Sequence, residues 1–238
     1  EAVRKKYDKD ATAQCIMAQG HVVVGYPAEK ILEYIDENDA DLVMMSTHGS
    51  SGVKSWDLGD VANKVIHSSK VPVWLVPTEL REEVMADVLP KRPLVVPLSG
   101  SSKSGAALPH AVDIIKQRRG ESDSVLVLLH VVEEPGPGAL VNRTALDELE
   151  AQREKMKAYL EDLAEPIRAS GIEVRTEVLP MGDPAKSIID YLREHPSQLL
   201  IMATRGKSRL SRAIFGSVTE SVIHMVKVTP LLLVGGDD

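Results

Sequence analysis

The chain has 238 residues, 43% of them hydrophobic and 26% charged, a balance that excludes a disordered protein. A formal charge of −7 and only 3% aromatic residues exclude nucleic acid as a partner, since that needs a basic face or a stacking platform. No apolar run approaches the roughly 20 residues of a membrane-spanning helix.

The N-terminal stretch EAVRKKYDKD has no apolar signal core, and the single cysteine, Cys15, admits no internal disulfide. The expected compartment is the cytoplasm. The next features are best read through an internal repeat. Gly25-Tyr26-Pro27-Ala28 corresponds to Gly182-Asp183-Pro184-Ala185, Gly49 to Gly206 and Gly59 to Gly216. Val65-Ile66-His67 corresponds to Val222-Ile223-His224, and each later member stands 157 positions after the earlier one. A repeat this long is a duplicated domain, because solenoid units run only about 20–50 residues. The second copy opens near Arg92, so the first copy is expected to lack about 65 residues that the second has. The expected organisation is the C-terminal part of a first domain over residues 1–79, a linker over 80–91 and a complete domain over 92–238.

In chain order, the first copy contributes the apolar strand PVWLV (72–76), and PTELREEVMADVLPKRP leads into the second copy. There PLVVPL and SVLVLLHVV are continuous apolar runs, as strands buried on both faces require. AALPHAVDIIKQ and the long charged ALDELEAQREKMKAYLEDLAEPIRAS have helical spacing. IEVRTEVL alternates with period two. DPAKSIIDYLREH places Asp183 as an N-cap and Pro184 at the first helical position. QLLIMAT is a further buried strand, GSVTESVIHMV a helix and PLLLV the last strand. Alternation of this kind predicts a doubly wound α/β fold with a parallel sheet. Ligands in such sheets bind beyond the carboxyl ends of the strands, where the winding reverses.

One of those strand ends carries the candidate site. The loop from Arg205 to Phe215 holds Arg205, Lys207, Arg209 and Arg212 and no acid. Gly216-Ser217-Val218 then opens a helix whose first N–H groups lack internal partners and attract an anion. Gly206 and Gly216 let a phosphate approach the main chain. The alternative is that Ser217 caps its own helix and the basic residues merely solubilise a loop. Gly206-Lys207-Ser208 is not a P-loop, because Ile201 stands where the first glycine belongs.

His67 and His224 occupy equivalent late-helix positions, which suits packing or a favourable charge at a helix end. His48 is read as loop scaffold, and His110 and His130 as core or subunit contacts. No metal-binding motif is present. EEPGPGALVNR is a loop at the expected mouth of the site.

The T-R-G run followed by nine residues and G-S, the G-D-P-A helix start and a first strand ending P-L-S-G-S together resemble the universal stress protein family. The resemblance covers nearly the whole chain as a tandem pair with a truncated first member. It implies strand order 3-2-1-4-5 and, in one subgroup, binding of ATP, which Mg²⁺ would accompany. It also implies phosphate contacts at Gly206, Gly216 and Ser217, adenine against the backbone of Val131, and Gly182 beside the ribose. Two positions depart from the subgroup's pattern: Ala203 replaces a glycine and Ser99 an aspartate. A carboxylate acceptor is worth roughly 1.5–3 kcal/mol against about 1 for a neutral one, so roughly tenfold weaker binding is expected. In the first copy Ser46 replaces the glycine and Asp60 the serine, so no nucleotide is expected there.

The family also pairs its last strands between domains. That implies pairing of Pro72–Val76 with Pro230–Val234 within the chain, Trp74 at the interface, and a homodimer as a further option. The expected function is a nucleotide-dependent regulator or sensor with at most slow ATP hydrolysis. The competing expectation is a module that works through protein contacts or another small ligand. An ATP pyrophosphatase is disfavoured because LSGSSKSG lacks the required SGGxDS loop.

Overall fold

The computed structural model describes residues 17–47, 58–89, 91–117, 124–133, 143–204 and 215–235. Apolar runs too short for helices and rich in Val, Leu and Ile form the strands. In the first copy α1 (Pro27–Glu37), β1 (Val43–Ser46), α2 (Asp60–Ser68) and β2 (Val73–Val76) follow one another. A short α3 (Glu82–Met85) lies in the link. The second copy runs β3 (Leu94–Pro97), α4 (Ser102–Gly105), α5 (Ala107–Gln117), β4 (Val125–Glu133) and α6 (Arg143–Ala169). It continues through β5 (Glu173–Gly182), α7 (Pro184–Glu194), β6 (Leu199–Thr204), α8 (Ser217–Met225) and β7 (Leu231–Gly235).

Among the described residues all seven strands share one sheet, ordered β1-β2-β7-β6-β3-β4-β5. The five strands of the second copy are mutually parallel, and their order is the expected 3-2-1-4-5 when they are counted within that copy. Continuous apolar runs suit this arrangement because each face is covered by helices. Val95, Val127, Leu129 and Leu200 pack with α2, α7 and α8, while Leu94, Val96, Leu126 and Leu128 pack with α5 and α6. β5 alternates because it is the sheet's last strand among the described residues and only part of it is covered.

The two copies meet where β2 and β7 pair antiparallel, with Val73 opposite Leu233, Trp74 opposite Leu232 and Leu75 opposite Leu231. Parallel pairing inside each copy and antiparallel pairing between them is the signature of a pseudo-two-fold. Both edges that would otherwise stand open are thereby closed. The core crosses the same line: Ala62, Val65 and Ile66 of α2 pack in one cluster with Val222 and Ile223 of α8. His67 meets Phe215 edge-on at 4.6 Å between ring centroids, so this histidine is a packing residue of the junction.

Residues 17–24 correspond by the repeat to β5 yet form no strand, and Val22 and Val24 are 98% and 92% exposed. β5 is held in the sheet by β4 alone, and no equivalent of β4 lies beside residues 17–24 among the described residues. Apolar alternation without a neighbouring strand leaves the backbone groups to water. In the link, the Arg81 guanidinium donates to the carbonyls of Leu192 and Arg193, satisfying acceptors that the end of α7 leaves orphaned.

Candidate functional site

β3 stands between β4 and β6, so the chain leaves it to one side and returns on the other. The crevice at that reversal, outside the carboxyl ends of the strands, is the ligand position of doubly wound sheets. A cavity of about 280 Å³ lies there. Five segments build its wall: the turn after β3, the end of β4, the end of β6 and the starts of α7 and α8.

β3 ends at Pro97, and Leu98 continues by donating its N–H to the carbonyl of Leu129 at 2.8 Å. Gly100 then adopts φ +85°, a left-handed turn that a residue with a Cβ resists. Ser101 accepts from the N–H of Ser104 and so caps the short α4. The hydroxyls of Ser99, Ser101 and Ser104 cluster, with Ser99 Oγ at 2.9 Å from Ser101 Oγ and 3.2 Å from Ser104 Oγ. Lys103 joins them on the cavity wall.

The end of β4 contributes His130, Val131 and Glu133. His130 is 7% exposed, and its Nδ1 lies 2.7 Å from the carbonyl oxygen of Leu98. A carbonyl only accepts, so Nδ1 carries the proton and the imidazole clamps the ends of β3 and β4 together. Its Nε2 is buried with no hydrogen-bond partner among the described residues. This makes His130 a strand clamp on the cavity wall, within the expected core role.

Two helices begin on the cavity, and their N-termini differ. α7 is closed by Asp183, whose Oδ1 accepts the N–H of Lys186 at 2.8 Å, with Pro184 at the first helical position. α8 has Gly216 as its N-cap, and no side chain caps it. Gly216, Ser217, Val218 and Thr219 all border the cavity. The alternative in which Ser217 caps its own helix is therefore not what the structure shows. The Thr219 hydroxyl is instead turned to the carbonyl of Ala203 at 3.4 Å, tying the helix start to the end of β6. An uncapped N-terminus on a crevice presents oriented amide hydrogens and the positive end of a helix dipole.

In the first copy the corresponding N-cap is Gly59, again with no side-chain cap, and Asp60 sits in the first turn of α2. Asp60 makes no capping hydrogen bond to the helix start. Its carboxylate still stands at the terminus where an anion would bind.

Ser99, Val131, Ala203, Gly216, Ser217 and Val218 are thus brought onto one cavity wall. Gly182 is not among the lining residues; it ends β5, where an added Cβ would meet Ser187 Oγ at 2.9 Å. Arg205, Gly206, Lys207, Arg209, Arg212 and His48 lie outside the described residues, as does the stretch 134–142. Sequence reasoning missed Lys103 and Ser104. The polar run SSKS immediately after the first strand of the complete copy was the available signal. Among the described residues there is no cluster of three His, Cys, Asp or Glu able to hold a metal. Nor is any described helix long and apolar enough to cross a membrane.

A doubly wound α/β protein with an open helix N-terminus at its switch-point crevice is the class these features define. The family described as "Universal stress protein family" matches residues 1–77 and 91–235. The chain belongs to the universal stress protein family. Universal stress protein MJ0531 of Methanocaldococcus jannaschii is 30% identical over 138 residues, 55% of this chain and 74% of that protein. Universal stress protein Mb2028c of Mycobacterium bovis is 24% identical over 221 residues, 90% of this chain and 68% of that protein. The crystal structure of a universal stress protein from Archaeoglobus fulgidus superposes with a TM-score of 0.66 at 26% identity. It covers 98% of this chain and 77% of that one.

Proposed function

We propose that the protein is a nucleotide-dependent regulator or sensor of the cytoplasm that binds ATP, with its Mg²⁺, in the cavity of the second copy. The observation that carries this reading is the contrast between the two helix starts: α7 is closed by the Asp183 carboxylate, whereas α8 opens uncapped on the crevice. In the proposal the phosphates lie on the amides of Gly216, Ser217 and Val218. Arg205, Gly206 and Lys207 complete that end. The adenine lies along Val131, the ribose lies near Ala203 and Ser99, and hydrolysis is at most slow. The proposed units are residues 1–79 and 92–238 joined by 80–91, with no nucleotide in the first because Asp60 repels it. The pairing of β2 with β7 then transmits the state of the site to the partner unit.

A second reading, a module acting through protein contacts or another small ligand, is favoured by Ser99 and Ala203, which depart from the ATP-binding pattern. Mass spectrometry of nucleotide released from the purified chain, followed by titration with ATP and AMP, separates the two. Ser217→Asp puts a carboxylate where the phosphates belong, and should weaken ATP at least tenfold, about 1.4 kcal/mol. No binding of either nucleotide at millimolar concentration supports the second reading.

A further inference from the structure

We propose that the turn after β3 is a second anion site, so that the cavity prefers an adenine nucleotide carrying an additional phosphate on its ribose. This rests on the reading that the cavity takes a nucleotide. Ser99, Ser101, Ser104 and Lys103 of this turn lie on the cavity wall, and the stretch from Pro97 to Gly105 contains no carboxylate. Among the described residues Lys103 has no ion-pair partner. Glu133, at the end of β4, is the one acid among the described lining residues.

Counting protons shows what the serines offer. Ser104 spends its hydroxyl proton on the carbonyl of Ser101 at 2.8 Å. Its oxygen accepts the N–H of Ser99 at 3.2 Å. Ser101 Oγ accepts the N–H of Ser104 at 3.3 Å. Ser99 Oγ has one proton, which serves Ser101 Oγ or Ser104 Oγ. Either hydroxyl can donate across the contact between Ser99 and Ser101, so a proton of this pair can be turned to an outside acceptor. A hydroxyl donor beside an ammonium suits a phosphate, and charge-assisted bonds of this kind are about twice as strong as neutral ones. The turn is held in place from both sides. His130 Nδ1 donates to the carbonyl of Leu98, and the Leu98 N–H donates to Leu129.

The cavity wall therefore has two anion-favouring segments, the start of α8 and the turn after β3, and Val131, Ile188 and Met202 line the same cavity. A ligand matching this pattern carries two separate phosphates about a sugar and a base. A linear triphosphate places all its charge at one end.

Calorimetric titration of the full chain with AMP, ADP, adenosine 2′,5′-bisphosphate and adenosine 3′,5′-bisphosphate tests this. ADP is the control for phosphate number. One bisphosphate should bind about tenfold more tightly than ADP. Lys103→Ala should erase that advantage while AMP affinity stays within about twofold, and Lys103→Glu should reverse it. Lys103 is exposed, so both variants should keep the wild-type melting curve. ADP matching both bisphosphates overturns the inference and leaves the nucleotide reading intact. So does an equal loss for every ligand in Lys103→Ala. Failure of all four ligands and of ATP to bind removes the nucleotide reading as well.

Discussion

The neighbourhood of Gly100 shows how a single residue sets the geometry of the cavity. Its φ of +85° turns the chain out of β3 and brings Ser99, Ser101 and Ser104 into one cluster. A Cβ there would also stand 3.1 Å from the methyl carbon of Met156. Gly100→Ala should cost about 1–2 kcal/mol through the left-handed conformation alone, a fall in Tm of roughly 2–8 °C for a chain of this size. An unchanged melting temperature would show that the turn relaxes freely.

At the scale of elements, the packing of α6 on β5 is joined by the Glu161 carboxylate. It accepts from Arg168 on its own helix, with Nη1 at 2.6 Å, and from the hydroxyl of Thr176 across on β5. The Arg168 guanidinium first, and the Thr176 hydroxyl second, hold this carboxyl below its usual range. A depressed folded value contributes stability above the unfolded carboxyl value of about 4.3, and that contribution is lost as pH falls through the folded value. Because the pair is largely exposed, the gain at neutral pH is under about 1 kcal/mol. Glu161→Gln should therefore melt slightly lower than wild type at pH 7 and indistinguishably from it near pH 3. A gap that persists in acid would mean the side chain acts by shape rather than charge.

At the scale of the whole molecule, the antiparallel β2–β7 ladder and the cluster spanning α2 and α8 make the two copies one sheet and one core. Trp74, half-buried opposite Leu232, sits in the middle of that ladder. Trp74→Lys places an ammonium against apolar neighbours and should part the copies or drive aggregation through the exposed strand edge. Solution scattering as compact as wild type would show that the ladder does not hold them.

What the sequence determined by itself was local and periodic. Continuous apolar runs specified buried parallel strands, Asp183-Pro184 specified a capped helix start, and the 157-residue spacing of glycines and Val-Ile-His marked two equivalent units. Those features depend on backbone preference and burial, which neighbouring residues set. The tertiary structure decided which strand ends converge. It set Lys103 and Ser104 on the same wall as Ser217, turned His130 into a clamp on Leu98, left Gly182 off the wall and α8 uncapped, and gave residues 17–24 no strand to join. The reason is that distance across a sheet follows strand order and register, which no local stretch encodes.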